Sequence, residues 1–227
     1  MDAPEKPAND ESRVPFVFPK WVNAVPIASQ FVLGGVASVA IFSLYFWGAP
    51  SHWYVGYTPK QPVPYSHKLH AGDLGIDCRY CHYAVEKSPV AMVPPAEVCM
   101  NCHTVVFKDS PKLQLVRDSF DKGTAIEWVR VHKVADFAYF DHSRHINKGV
   151  GCISCHGRID QQEVVTVSQP LSMSWCLDCH RNPGPNLRPK SEVTNMTWKP
   201  SSRNLGEQLA QQYHVKPPTG SCSGCHR

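Results

Sequence analysis

The chain has 227 residues, a formal charge of +4 and only 19% charged residues. That length allows one or two domains, and so mild a charge, with no block of five like charges, excludes a dedicated nucleic-acid binder. Only 42% of residues are hydrophobic and 20 are proline, which excludes a membrane bundle for most of the chain and disfavours long regular helices outside any special segment.

Residues 1–25 carry acids as well as bases (Asp2, Glu5, Lys6, Asp10, Glu11, Arg13, Lys20). The run after them, Ile27 to Gly48, is IASQFVLGGVASVAIFSLYFWG, and no Lys, Arg, Asp or Glu occurs from residue 21 to residue 59. Twenty-two helical residues reach about 33 Å, enough for a bilayer core. Pro26 and Pro50 bracket the run, Trp21 precedes it, and Tyr45, Phe46, Trp47, Trp53 and Tyr54 crowd its far end as an interfacial belt would. Gly34, Gly35 and Ala37 offer a small-residue face to a neighbouring helix. The flank is too acidic and the run too long for a cleaved signal, so residues 26–49 are read as an uncleaved transmembrane signal anchor.

All ten cysteines fall in one pattern: Cys78-Arg-Tyr-Cys81-His82, Cys99-Met-Asn-Cys102-His103, Cys152-Ile-Ser-Cys155-His156, Cys176-Leu-Asp-Cys179-His180 and Cys222-Ser-Gly-Cys225-His226. C-x-x-C-H is the attachment motif of c-type haem. Two thiols add to the vinyl groups on one porphyrin edge, a two-residue spacer spans that edge, and the next histidine meets iron as proximal ligand. This composition gives about 0.02 such pentamers by chance. Zinc ribbons are the rival, because 17 residues separate Cys81 from Cys99 and 20 separate Cys155 from Cys176. Ribbons would not explain a histidine after every second cysteine, and they would strand the fifth pair. The cofactors expected are therefore five haem c.

The haem region contains a duplication. YSHKLHAGDLGIDCRYCH (65–82) matches FDHSRHINKGVGCISCH (140–156), with offsets of 75, 74 and 77 residues between equivalent histidines and motifs. Two-haem units are expected near 65–135 and 140–200, with a fifth haem closing the chain. Seven histidines lie outside the motifs, and the recurring pairs His67/His70 and His142/His145 are the expected distal iron ligands. His67 is expected on the first haem and His142 on the third, while the second histidine of each pair is expected to cross to another haem and tie two units together. For the remaining iron Met173 is the choice, with His214 the competitor and His132 a weaker option; His52 is read as interfacial. Met100 sits inside its own motif, and Met92 and Met196 have no positional support.

Five haems on residues 60–227 leave little room for a protein-only core. The fold expected is a mostly irregular and α-helical multihaem cytochrome c with one N-terminal transmembrane helix and little β-sheet. Pro89, Pro94, Pro95, Pro183, Pro185, Pro189, Pro217 and Pro218 punctuate the wrap, and the longest helical stretch is expected in PKLQLVRDSFDKGTAIEWVRVH, within 104–141. Lys and Arg counts flanking the span do not orient it. Covalent haem attachment takes place outside the bacterial cytoplasmic membrane, so residues 1–25 are expected to be cytoplasmic and residues 50–227 periplasmic.

FPKWVN, GYTPKQPVPYSHKLHAGDLGIDCRYCH, VHKVADFAYFDHSRHINKGVGCISCHG and PLSMSWCLDCHRNP together resemble the pentahaem cytochrome c subunit of alternative complex III, from about Phe18 to Arg227. The resemblance implies partners: multi-spanning quinol-oxidising subunits, an iron–sulfur subunit related to molybdopterin enzymes, a monohaem cytochrome c, and membrane lipid. It implies electron transfer through the five haems to a cytochrome c, a soluble carrier or a terminal oxidase, without substrate chemistry by this chain alone. It also implies mostly bis-histidine haems and one His/Met haem. A stand-alone, membrane-anchored tetrahaem quinol dehydrogenase is the alternative. Such cytochromes have methionine two residues after the first motif, where this chain has Ala84. A pentahaem nitrite reductase would carry a C-x-x-C-K motif, and all five motifs here end in histidine.

Overall fold

The computed structural model describes residues 16–216 and 222–226. Most of the expected cytoplasmic tail and the expected proline break at 217–218 lie outside those residues. The chain divides into two units, one ending at Gly48 and one beginning at Ala49.

In the first unit a 3-10 turn, Lys20–Ala24, leads into helix α1, Val25–Gly48. Pro26 sits in the first turn, where its missing N–H is not required, and its carbonyl accepts a 2.8 Å bond from Ser29 Oγ. Phe42 and Phe46, one turn apart, stack with ring centres 5.7 Å apart. None of the residues of α1 is buried within the chain, so the helix is apolar all round and lacks a core of its own to face. From Lys20 to Gly48 it is long and apolar enough to cross a membrane. The helix stops one residue before the expected boundary. Ala49 is extended (φ −76°, ψ 133°) because Pro50 follows and its ring disfavours α geometry at the preceding residue.

The second unit holds eight short helices among the described residues. They are α2 Pro50–Trp53, α3 Cys78–Cys81, α4 Ala96–His103, α5 Gln114–Lys122, α6 His142–Ile146, α7 Ile153–His156, α8 Met173–Arg181 and α9 Leu205–Gln212. A π-helical turn, Lys68–Asp73, precedes α3. Extended pairing among the described residues is limited to two isolated bridges, Ala138 with His226 and Val150 with Leu187. The mostly irregular and helical fold with little sheet is what the composition led one to expect. The long helix expected around 111–132 is not formed. After a 3-10 turn at Pro111–Leu113, α5 runs only to Lys122, because Gly123 adopts φ +64° and closes it with a left-handed cap. Residues 124–132 are irregular.

The apolar core is thin. Eleven apolar side chains are buried among the described residues, and they form no single cluster. Val63, Ala96 and Val116 pack with Leu113, Ile126 and Trp128, while Val85, Ile146 and Val193 pack with Ala91 and Cys152. A protein unit of this size normally has one contiguous core.

Backbone bonds between distant loops do the holding. Tyr54 Oη donates to the carbonyls of Val131 (3.0 Å) and Lys133 (3.1 Å) and accepts from Lys133 N–H. The Gln61 amide donates to Val129 O (2.9 Å) and accepts from Val129 N–H (3.0 Å). Two segments exchange places across the unit. Lys68 N–H donates to Gln162 O at 3.0 Å, while His142 and Ser143 N–H donate to Pro89 O and Ser88 O at 3.2 and 3.3 Å. Gly72 lets the first of these contacts close, since any side-chain carbon there would overlap the Asp160 carbonyl.

Candidate functional site

Each cysteine pair sits on one helical turn. Cys78 and Cys81 bound α3, Cys99 and Cys102 lie in α4, Cys152 caps α7, Cys176 and Cys179 lie in α8, and Cys222 opens a 3-10 turn. One turn puts both thiols of a pair on the same side and carries the histidine just beyond them. His82, His156 and His226 close their turns with N–H bonds to the carbonyls of Cys78, Cys152 and Cys222 at 2.8, 3.0 and 2.8 Å. Asp77 starts α3 by accepting from Arg79 N–H at 2.8 Å. It also pairs with the Arg79 guanidinium and accepts from Thr194 Oγ1, which together hold its carboxyl at about 2.

All ten thiols are free of disulfides. Burial pushes Cys155 up to about 12 and raises Cys81, Cys99, Cys176 and Cys179. A thiol–thiol hydrogen bond between Cys78 and Cys152 lowers Cys78 and, with burial, raises Cys152. The attachment turns of the first and third motifs therefore abut. Cys225 lies near enough to Cys176 to raise it, and Tyr139 N–H donates to Cys225 O at 2.8 Å. The last motif thus lies beside α8 and hangs on the segment 137–139.

Six of the histidines have one ring nitrogen bonded to a fixed acceptor. A ligating imidazole gives its second nitrogen to a fixed acceptor, which sets the tautomer and the ring plane. Nδ1–H donates to a backbone carbonyl in His70 (Ser66, 2.8 Å), His82 (Met92, 2.6 Å), His103 (Val106, 2.9 Å), His142 (Pro89, 2.8 Å), His145 (Asp141, 2.7 Å) and His226 (Phe137, 3.2 Å). That leaves Nε2 of each ring with a bare lone pair. Met92 takes part through its carbonyl, turned toward His82 by a left-handed backbone (φ +66°). Desolvation lowers His67 to about 4 and His156 to about 3, so both are neutral at pH 7. Burial also lowers His132, His142 and His180.

Ring spacing tests the fit to haem. Two imidazoles trans on one metal, with bonds of about 2 Å and ring centres about 1.1 Å beyond each nitrogen, stand about 6.2 Å apart. His70 and His103 are 6.3 Å apart, His145 and His180 are 6.0 Å apart, and His142 and His156 are 6.5 Å apart. The residues present therefore fit a six-coordinate haem iron. No three His, Cys, Asp or Glu side chains among the described residues converge on a point that could hold a bare metal ion. A haem iron asks only two side chains of the protein, since the porphyrin supplies four donors.

His67 lies beside His82, whose charge is the leading electrostatic influence on it. His132 sits against His156, with ring centres 4.4 Å apart and planes at 79°. Met173 is the first residue of α8 and is 64% exposed, one turn before Cys176. His214 is exposed at the end of α9 with φ +50°.

Two residues escaped the sequence reading. Tyr65 stacks on His70 (4.5 Å, 23°) and stands edge-on to His67 (4.8 Å, 86°). Phe140 does the same to His145 (4.7 Å, 28°) and His142 (4.7 Å, 85°). Each aromatic fixes the angle between the two histidines of its pair. The signal was available: an aromatic two residues before the first histidine, in both copies.

No protein-family model matches the chain. Over 208 residues, covering 88% of this chain and 90% of the relative, it is 29% identical to the menaquinone reductase, multiheme cytochrome c subunit, of Nitratidesulfovibrio vulgaris (strain Hildenborough).

Proposed function

We propose that this chain is a multihaem c-type cytochrome that carries electrons within a quinone-linked respiratory complex. The observation that carries the reading is the set of three histidine pairs at iron-bridging spacing, each with one member inside a C-x-x-C-H motif. The relative's name, a multihaem subunit of a menaquinone reductase, supports the same class.

In detail, the chain is read as the pentahaem electron-transfer subunit of a membrane quinol:electron-acceptor oxidoreductase of the alternative complex III type. Five haem c groups are held through the ten motif cysteines, with His82, His103, His156, His180 and His226 as proximal ligands. His67 and His142 serve the first and third haems, and His70 and His145 reach the second and fourth. Met173 serves the fifth. Its support is the placement of the last motif beside α8, since Met173 lies one turn from Cys176 on that helix. Haem c supplies one-electron carriage when bound. The residues do the rest. Carbonyl acceptors hold the Nδ1–H of His70, His82, His103, His142, His145 and His226, burial keeps His67 and His156 neutral, and the helical turns set the attachment edge. α1 anchors the chain in the cytoplasmic membrane, with residues 1–25 cytoplasmic and the haem unit periplasmic. Multi-spanning quinol-oxidising subunits, an iron–sulfur subunit and a monohaem cytochrome c are the partners.

A second reading reverses the current. The relative is named a reductase of menaquinone, so electrons could enter from a soluble donor and leave to quinone through the same haems. Gentle detergent purification, mass spectrometry of what co-elutes, and assays of quinol oxidation and quinone reduction decide. Co-eluting iron–sulfur and multi-spanning subunits with quinol oxidation support the first reading. Quinone reduction alone supports the second. A cytochrome that elutes alone and still oxidises quinol is a self-sufficient dehydrogenase and refutes both.

A further inference from the structure

Among the described residues, the buried side-chain polar atoms without a hydrogen-bond partner are three ring nitrogens, on His67, His132 and His156, and Nε of Arg188. Arg188 is only 6% exposed. A guanidinium is seldom buried so deeply unless a carboxylate pairs with it. The ion pairs among the described residues do not include Arg188. Its Nη1 donates instead to the carbonyls of Asn195 (2.8 Å) and Glu192 (3.4 Å). Its Cζ stands 5.0 Å from the centre of the Trp198 ring. Carbonyls and a ring face hold a cation in place without cancelling its charge. The Glu192 carboxylate acts on it without pairing and accepts from Asn195 Nδ2 at 2.7 Å.

The charge is placed at one attachment site. Val150 bridges to Leu187, and Arg188 N–H donates to Gly149 O at 2.9 Å. That brings the side chain over Gly151, the residue before Cys152, where a Cβ would overlap Nε and Cζ. Cys152 and Arg188 each influence the other electrostatically. The first copy of the repeat is built differently. There the residue before Cys78 is Asp77, paired with Arg79 at 2.9 Å. A neutral ion pair thus stands at the first motif where the third has an unpaired cation.

We propose that Arg188 is a fixed positive charge that raises the reduction potential of the haem held by Cys152, Cys155 and His156. The inference rests on the haem reading above. Haem iron gains one unit of positive charge when it is oxidised, so a cation close by disfavours the ferric state and favours the ferrous. Burial keeps the effect large, because little water is present to screen it. The first and third sites repeat one sequence pattern, and the arginine biases electrons toward the third.

The test uses the full-length holoprotein in detergent. Arg188→Gln removes the charge and keeps a donor for the two carbonyls. Arg188→Lys keeps the charge. Trp198→Glu leaves Arg188 in place and sets a carboxylate beside it. Redox titration by visible absorption and EPR reads all five haems. In Arg188→Gln one potential of the five is expected to fall, by about tenfold in its reduced-to-oxidised ratio, or about 59 mV for one electron. Trp198→Glu should lower the same potential, and Arg188→Lys should hold it near the wild-type value. A purely structural role would lower thermal stability in both Arg188 variants without moving one potential alone. Five unmoved potentials overturn the proposal, and so does an equal fall in Arg188→Gln and Arg188→Lys. The haem is identified in a chain that also carries Cys152→Ala and Cys155→Ala. There Arg188→Gln should leave the remaining potentials in place, and a shift that persists overturns the proposal. If Arg188→Gln does not accumulate, Trp198→Glu decides by itself: a fall at one haem supports the proposal and no fall overturns it. Peptide mass spectrometry separates the deeper failure, since a wild-type peptide spanning Cys152 and Cys155 without haem mass would remove the haem reading itself.

Discussion

Replacing His70 by alanine should isolate one of the five proposed haems. His70 stands 6.3 Å from His103 across the expected iron position and is held there by its bond to Ser66 O at 2.8 Å. Alanine removes one axial donor and leaves the His103 side intact, so a single low-spin haem becomes high-spin. With five motifs in the chain, about a fifth of the low-spin EPR intensity should be lost, with a high-spin signal near g 6 of matching size by spin count. The structural side effect is bounded by the geometry. His70 also stacks on Tyr65 at 4.5 Å, a contact of about 1 kcal/mol, so the melting temperature should fall by only about 2–4 °C from that loss. The assignment to the second haem is checked in a chain that also carries Cys99→Ala and Cys102→Ala. There the high-spin signal should vanish, because the haem that His70 served is no longer attached. A high-spin signal that survives in the triple variant would refute the pairing and place His70 on another iron.

Other outcomes follow from single contacts. Tyr65→Phe should be neutral, since Phe140 occupies the same place in the other copy without a hydroxyl. Tyr65→Ala should cost about 2 kcal/mol in thermal unfolding and broaden the EPR lines of the haems served by His67 and His70. Gly157→Ala should destabilise by about 1–3 kcal/mol in a denaturant titration. Its backbone (φ 61°, ψ −156°) suits glycine alone, and a Cβ would meet Ser168 Oγ at 2.6 Å. Asp77→Asn should lower the melting temperature at pH 7, because the amide oxygen can still cap α3 but the charge pair with the Arg79 guanidinium is lost, a half-exposed pair worth about 1 kcal/mol at most. The Asp77 carboxyl sits at about 2 when folded, below the 3.8 of an ordinary aspartate. Its contribution is therefore full above pH 4 and is lost as the pH falls through 2, so wild type and variant should converge across that window. A difference constant with pH would remove the carboxylate as its cause. Val36→Asp in the middle of α1 should raise the fraction of protein released by alkaline carbonate, at an insertion cost of about 3 kcal/mol.

The helical turn under each C-x-x-C-H motif was legible in the chain because it is local. A porphyrin edge fixes the cysteine spacing, and one helical turn satisfies it without help from elsewhere. α1 was legible for a related reason, since a membrane imposes length and apolarity on consecutive residues. The overreach beyond α5 has a local cause too. Apolar spacing continued past residue 122, but Gly123 took a positive φ and ended the helix. Tyr65 and Phe140 were written in the repeat, at the same offset as the histidines, yet aromatic residues are common enough that their register did not call attention to itself. His132 could not have been placed from pattern. It lies in irregular chain, and the bonds that orient its loop come from Tyr54 and Gln61, 77 and 68 residues away from the carbonyls they hold. That the second histidine of each pair crosses past its nearest motif was expected, but its particular partner, His103 for His70 and His180 for His145, arises only in three dimensions.

The exchange of backbone bonds between the two halves bears on the order of assembly. The turn that carries His70 receives its main-chain acceptor from Gln162, and the loop that carries Met92 is docked only when His142 arrives at Pro89. Neither half therefore closes while the other is still being made. During synthesis the first cysteine pairs emerge long before residue 162, and they must wait as open, reachable thiols. On the proposed haem reading, late closure leaves the early cysteine pairs reachable for attachment. It also means that a chain stopped between residues 130 and 160 would keep the carbonyls of Ser66, Met92 and Val106 that hold His70, His82 and His103, but would lack the Gln162 carbonyl that accepts from Lys68 N–H.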